Sequence, residues 1–339
     1  MIYIEPKSVD PSFHLAAEEY VTRFFPFNNF TDTNESVFMV WRTEKCVVIG
    51  RNQIAAAEID LQAAHSLGIR VIRRSSGGGA IFSDFGNIMH SVITPFNESD
   101  DPKKIEYTQA VEPMANALKK MGIPALSEGR NDITVDGKKI SGLAQYAIKN
   151  RICTHGSLLF DSDLDLLSRI LKTDPDKINS KALKSIRSRV TNLREYLNPE
   201  PESITEFINL LKSCLFEVFG EDIKNYDFTR RDIEQINIIK DEKYANQKWI
   251  NGSTPKFTFQ NSKRFLSGKL EIFLDVEHGI IKSCNIFGDF LGIHPVAELE
   301  NKLINHPHEF GILSEILFNT DLKLYLGNIK PEELLECLF

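Results

Sequence analysis

The chain has 339 residues, 42% hydrophobic and 26% charged, with a net charge of −7 and a pI near 5.7. This balance supplies a sizeable core, suggests two domains, and argues against nucleic acid as the main partner, because there is no overall positive field. No apolar run spans a bilayer, the start MIYIEPKSVD lacks a signal peptide's basic and apolar regions, and five scattered cysteines (Cys46, Cys153, Cys214, Cys284, Cys337) without a CxxC pair argue for a reducing cytoplasm and against disulfides or zinc.

In chain order, VFMVWRTEKCVVIG at 37–50 reads as two short strands around the polar turn 42–45. Residues 55–67 put Ile59, Ala63 and Leu67 on one helical face, closed by Gly68. IRVIRR, 69–74, is a strand, and IMHSVIT, 88–94, is expected beside it. A helix over 105–121 ends at Gly122 and Pro124. Strands at 132–135 and 139–143 flank Asp136-Gly137, a hairpin dipeptide. SLLF, 157–160, is a further strand. The helix over 203–219 has a capping box of Ser203 and Glu206 and a terminal Gly220. The polar stretch 240–256 marks a boundary, and beyond it 257–287 reads as a strand meander turning at His278-Gly279, followed by helices. The expected division is an α+β unit over 1–245, a linker over 246–255 and a small α+β unit over 256–339.

Four segments could carry chemistry. RRSSGGGA, 73–80, has three successive glycines, whose backbone can approach a ligand closely and whose N–H groups can cradle an anion. Arg73 and Arg74 add forks suited to carboxylate or phosphate. A flexible hairpin with solvated arginines is the plainer alternative. Asn87 closes the following turn DFGN or bonds a ligand. In GRNDITVDGKKISG, 129–142, Lys139 could hold a carboxylate or acyl phosphate, with Lys138 facing the other way; two solvated lysines are the plain alternative. Asn131 and Asp132 either cap a turn or bind a nucleotide and its metal. Cys153 near His155 raises thiolate catalysis against a buried thiol and a core histidine. SKALKSIRSRVTNLR, 180–194, holds five basic residues and no acid, a phosphate-binding surface or a solvated helix.

Taken in order, these segments resemble the lipoate–protein ligase family. RRSSGGGAIFSDFGN is similar to its lipoate-binding glycine loop, GRNDITVDGKKISG to its nucleotide and lysine hairpin, THGSLLFDSDLDLL to its following strand, and SIRSRVTNL to its adenylate-binding loop. VWRTEKCVVIGRNQ and KWINGSTPKF extend the likeness over nearly the whole chain, the latter into the C-terminal accessory domain.

The resemblance implies an α+β fold: a catalytic domain like those of biotin and lipoate ligases and class II synthetases, plus a small α+β C-terminal domain. It implies that Arg74, Ser76, Gly77, Gly78, Gly79, Asn87 and His155 bind lipoate or lipoyl-AMP. By the same likeness, Ala80, Asn131, Asp132, Lys139, Arg187, Arg189, Val190, Thr191 and Asn192 bind the nucleotide, with Lys139 catalytic and Asp132 on the magnesium side. ATP and Mg²⁺ are the implied co-substrate and cofactor, and lipoic acid the substrate. The implied acceptors are lipoyl domains of 2-oxoacid dehydrogenase E2 subunits and the glycine-cleavage H protein, modified by a cytoplasmic monomer that engages neither nucleic acid nor membrane.

The chain departs from the family at Ser83 and Thr154, where histidines are common, at His14, where Asn is usual, and at Gln53-Ile54, where a Gln-Asn pair is usual. Two rival readings remain: an ATP-independent octanoyl or lipoyl transferase working through a Cys153 thioester, and an inactive lipoate-binding paralogue.

Overall fold

In a computed structural model of the chain, the structure describes residues 1–27, 35–95, 107–128, 131–170, 190–220, 223–252 and 257–339. The strands are β1 (Ile2–Ile4), β2 (Val37–Trp41), β3 (Cys46–Ile49), β4 (Arg70–Arg73), β5 (Ile81–Ser83), β6 (Asn87–Pro95), β7 (Leu126–Glu128), β8 (Asp132–Val135), β9 (Lys138–Ile148), β10 (Arg151–Leu159), β11 (Lys224–Asn225), β12 (Phe259–Phe265), β13 (Gly268–Glu277) and β14 (Ile280–Gly288). Eight of them form one mixed sheet in the order β11-β1-β2-β6-β10-β9-β8-β7. β1 runs parallel to β11 and β2, and the remaining pairs are antiparallel.

Side-chain alternation assigns the two faces of this sheet. Val37, Met39 and Trp41 pack under the helix Pro11–Phe24, against Leu15, Ala16 and Val21. Phe38 and Val40 point the other way, to a core shared with the helices Thr108–Lys120 and Ile204–Phe219. A second sheet, β4-β3-β5, has its own apolar cluster of Val47, Ile49, Ile59, Ile69 and Phe82.

Local chemistry explains the elements that match expectation. Asp136 and Gly137 both take left-handed φ values, 51° and 71°, so two residues reverse the chain between β8 and β9. Ser203 Oγ accepts the Glu206 N–H at the start of the helix Ile204–Phe219, and Gly220 ends it with a φ of 62°. The capping box is incomplete, however: the Glu206 carboxylate accepts from Glu202 N at 2.7 Å instead of reaching Ser203.

Other expectations are corrected. β6 does not lie beside β4; it pairs with β2 and β10 in the large sheet. Its residues Asn87–Ile93 are buried without a break, which marks an interior strand. β2 and β3, only four residues apart, belong to different sheets. The helix expected over 55–67 is two short ones, Ala55–Glu58 and Leu61–Ser66, because Asp60 caps the second by accepting from Ala63 N at 2.9 Å.

Residues 259–338 close around a separate core of Leu270, Ile272, Ile286, Leu299, Leu313 and Leu334. Gln247–Asn251, within the expected linker, is a short helix. The C-terminal unit meets the rest through main chain: Gly288 N donates to Asn52 O at 2.9 Å, Gly78 N to Phe290 O at 3.0 Å, and Ala147 N to Ile293 O at 3.2 Å. Among the described residues, no helix is long and apolar enough to cross a membrane.

Candidate active site

The glycine loop follows β4 and is shaped from inside by two buried arginines. Arg73 donates to the carbonyls of Gly50, Arg51 and Gln53 through Nη1, at 2.6–2.9 Å, and to Trp249 and Ile250 through Nε and Nη2. Arg74 donates to Ser76 Oγ (3.0 Å), Val48 O (3.1 Å), Gly77 O (2.6 Å) and Gly79 O (2.8 Å). Burial lowers both guanidinium pKa values to about 10, so both stay charged at neutral pH. In the structure the donors of these forks go to the protein's own oxygens, main-chain carbonyls for Arg73 and three carbonyls plus Ser76 Oγ for Arg74. They tie the loop to the 48–53 main chain and to Trp249 and Ile250. Gly78, with a φ of +92°, needs the conformation that glycine alone adopts readily.

The open side of the loop borders a cavity of about 250 Å³. Arg74, Gly78, Gly79 and Ala80 line it from the loop, and Asn131, Lys139 and His155 from β8, β9 and β10 or their approaches. Leu15, Val48, Met89 and Leu143 supply apolar wall. Asp289 and Leu291 reach in from the C-terminal unit. A smaller adjoining cavity, about 90 Å³, is lined by Phe82, Ile140, Ser141, Leu164 and Val190. Lys139, Gly142, Ser157 and Ile81 border both. Lys139 thus stands at the junction of two chambers.

Lys139 Nζ lies 2.7 Å from Asp132 Oδ1, across the β8–β9 hairpin. Gly142 makes room for it: a Cβ there would fall 2.5 Å from Lys139 Nζ. Asn131 Nδ2 donates to Leu143 O at 2.6 Å and fixes the approach to β8. Val190 bridges to Lys139 in parallel register, and Thr191 N donates to Lys139 O at 3.1 Å. Asn192 pins the same segment through both main-chain groups of Ser162, at 3.0 Å each. Arg187 and Arg189 lie outside the described residues.

His155, on the cavity wall, belongs to a buried polar chain. Its Nε2 is 2.6 Å from Ser76 Oγ, and its Nδ1 is 3.0 Å from each carboxylate oxygen of Glu18. Ser91 Oγ donates to the same carboxylate. Ser76 and Gly77 do not border the cavity; the first acts on it through His155, the second through Arg74. Asn87 also sits away from the cavity, fully buried, with Nδ2 donating to Phe82 O at 3.2 Å.

Cys153 is fully buried on the same face, and burial beside the Glu18 carboxylate pushes its thiol well above the usual range. That is the opposite of the environment that makes a nucleophilic thiolate. Glu18, Cys153 and His155 place ligand atoms within 4.8 Å of one another, but a buried thiol in this set does not suit magnesium, which prefers oxygen ligands.

Three of the departures from the family pattern are satisfied locally. Ser83 Oγ accepts from Thr43 at 3.0 Å, Thr154 Oγ1 from Gln145 at 2.9 Å, and Gln53 Oε1 from Gly50 N at 2.8 Å. His14 bonds Ser8 O at 2.7 Å and stacks on Trp41.

Residues 10–216 match the family model of the lipoyl protein ligase A/B catalytic domain, and residues 254–338 match that of the bacterial lipoate protein ligase C-terminus. The chain is 38% identical to the lipoate-protein ligase LplJ of Bacillus subtilis, over the full length of both. The chain belongs to the lipoate–protein ligase family. Among solved structures, it is similar to LipL1 of P. falciparum in complex with lipoate (TM-score 0.77, 26% identity, 99% of this chain and 97% of that one). It is also similar to the bi-partite lipoate protein ligase of Thermoplasma acidophilum, studied with its E2 lipoyl domain (0.65, 27%, 76% and 98%). A lipoate-protein ligase A bound with ATP gives 0.61 at 26% identity, covering 74% and 98%. The mixed-sheet α+β architecture is the one this ligase family shares.

Glu18 carries no motif. The signal that points to it is the pair of acids in the apolar run LAAEEYV, after a helix start written by Asp10-Pro11. Asp289 and Leu291 have no sequence signal at all.

Proposed function

We propose that this ligase activates free lipoate with ATP to lipoyl-AMP, releasing pyrophosphate, and then passes the lipoyl group to a lysine of an acceptor protein. The observation that carries the reading is Lys139 at the junction of the two cavities. The larger, with its apolar wall, takes the acyl chain. The smaller takes the adenine side. Lys139 then meets the lipoate carboxylate and the α-phosphate together, orients one on the other, and offsets the negative charge that builds as the carboxylate oxygen attacks phosphorus.

Asp132, half-buried and 2.7 Å from Lys139 Nζ, is an oxygen donor of the kind Mg²⁺ takes alongside nucleotide phosphates. Bound there, the ion would supply charge neutralisation of the triphosphate. Arg74 and the glycine main chain shape the acyl cavity, Ser76 and Glu18 orient His155 in its wall, and Asn87 fixes the turn after β5 through Phe82 O. Val190, Thr191 and Asn192 close the adenine side, with Arg187 and Arg189 from the same motif.

The mixed anhydride is discharged by the acceptor amine, so no protein nucleophile is needed, and the buried Cys153 fits that route rather than a thioester one. The acceptors are lipoyl domains of 2-oxoacid dehydrogenase E2 subunits or the glycine-cleavage H protein. The likeness to a ligase studied with an E2 lipoyl domain supports the former. The domain division is 1–245, 246–255 and 256–339, and the enzyme works in the cytoplasm as a monomer.

The test is incubation with ATP, Mg²⁺, lipoate and an unmodified lipoyl domain, read by mass spectrometry of the acceptor and by AMP release. One lipoyl group per acceptor lysine, with AMP formed, supports the reading. Acyl transfer without AMP overturns it in favour of the thioester transferase. Lipoate binding with neither product overturns it in favour of a binding protein.

A further inference from the structure

The connector leading to the C-terminal unit takes part in building the glycine loop. A single π-turn, Lys240–Tyr244, follows the helix Arg230–Ile239. Such turns are rare and occur frequently at functional sites. This one carries Lys243 and Tyr244 against the helix Pro11–Phe24 and the loop. Lys243 Nζ donates to Glu19 Oε2 at 2.6 Å and to Ser75 Oγ at 2.9 Å. Tyr244, 1% exposed, donates to Glu19 Oε2 at 2.6 Å, and its oxygen lies 2.7 Å from Ser75 Oγ, from which it can accept. Every donor in this set has an acceptor.

The Trp249 ring lies under Lys243, 4.4 Å from Nζ, and Trp249 Nε1 donates to Arg73 O at 2.9 Å. Arg73 returns hydrogen bonds to Trp249 O and Ile250 O. The residues on either side of Arg74, Arg73 and Ser75, are therefore both tied to the connector. Ser76, the next residue, is tied to His155. Glu19 is buried and Lys243 only partly so, and an ion pair drawn out of water in this way is weak evidence for a stabilising role. Its value here is in fixing one geometry.

We propose that Lys243 is a positioning residue for lipoate activation, coupling the connector to the glycine loop through Ser75 and Glu19 and so setting the acyl cavity. The inference rests on the lipoate-activating reading above.

The test uses the full chain with Lys243→Met, Lys243→Arg, Ser75→Ala and the Lys243→Met/Ser75→Ala double variant. Steady-state AMP formation gives kcat and the KM values for lipoate and ATP. Lys243→Met is expected to raise the lipoate KM by about tenfold, well within what loss of orientation costs, with little change in the ATP KM. Lys243→Arg should restore most of the loss. The double variant should be no worse than Lys243→Met alone, because both changes cut one link. An unchanged lipoate KM in folded Lys243→Met, or strictly additive effects, overturns the proposal. If Lys243→Met does not fold, Ser75→Ala decides, since it leaves the ion pair intact: a raised lipoate KM supports the coupling and an unchanged one overturns it. If the wild type binds lipoate without consuming ATP, the reaction assignment fails separately. The same variants are then compared by lipoate calorimetry, where weaker binding by Lys243→Met supports the coupling and equal binding overturns it.

Discussion

His155 Nδ1 lies 3.0 Å from both carboxylate oxygens of Glu18, and neither residue is more than 4% exposed. Hydrogen accounting gives the contact a direction. The ionised Glu18 carboxylate can only accept, which leaves His155 Nε2 to take the proton of Ser76 Oγ, itself an acceptor from Arg74 Nε–H. Nδ1 then carries the proton that Glu18 accepts. Glu18→Gln keeps the shape but turns an amide NH₂ toward groups that themselves donate. The expected result is a stability loss of about 1–3 kcal/mol by urea denaturation and a several-fold higher lipoate KM. A variant as stable and as active as wild type would show that the chain does not run in this direction.

Gly142→Ala should separate folding from activity. The added Cβ meets the flexible end of Lys139, not backbone, so the fold can absorb it. The amine must move aside, and displacements near 1 Å can cost about 10²-fold in rate. The expectation is a near-normal melting temperature with AMP formation down by roughly 10–100-fold. Unchanged turnover would mean that Lys139 acts from another rotamer.

Cys153 should be chemically silent. A fully buried thiol held protonated by its surroundings reacts slowly with disulfide reagents in the native protein at pH 8 and quickly after unfolding. Cys153→Ser should keep ligase activity within about threefold, paying at most ~1 kcal/mol for a hydroxyl at a buried site. Loss of acyl transfer in a folded Cys153→Ser would revive the thioester route.

Glu300, in the C-terminal unit, accepts from Ile286 N at 2.7 Å, and burial raises its pKa to about 7. The folded pKa is above the unfolded one, so its stabilising contribution is full below about 4.5 and is lost as pH rises through about 7. Glu300→Gln keeps the acceptor and removes the titration. It should stabilise the protein by ~2–3 kcal/mol at pH 8 and by almost nothing at pH 4.5. Denaturant curves at the two pH values would reveal a pH-independent difference if this sign is wrong.

Local chemistry was readable from the sequence; long-range pairing was not. The Asp136-Gly137 turn and the Ser203 cap are decided within a few residues, and both stand where expected. The glycine loop is recognisable as a ligand-approach segment, but the internal acceptors of its arginines are not. Their acceptors, from Val48 to Ile250, come together only in the fold. β6 was placed in the wrong sheet because its neighbours β2 and β10 lie about fifty residues away on either side. The acid pair in LAAEEYV flags Glu18, but its partners are not legible, because helical periodicity says which face is buried and not what a buried acid will meet. Asp289 and Leu291 reach the cavity only because the C-terminal unit docks there.

The central claim is that Lys139 activates lipoate without a protein nucleophile. The most direct test is lipoate-dependent AMP formation from ATP and Mg²⁺ by wild type, Lys139→Ala and Cys153→Ser, with a lipoyl-domain acceptor present. The account predicts AMP from wild type and Cys153→Ser, and a fall of about 10²–10³-fold for folded Lys139→Ala, the loss expected when a group that stabilises transition-state charge is removed. Undiminished AMP formation by Lys139→Ala, or acyl transfer that needs Cys153 and no ATP, would contradict it.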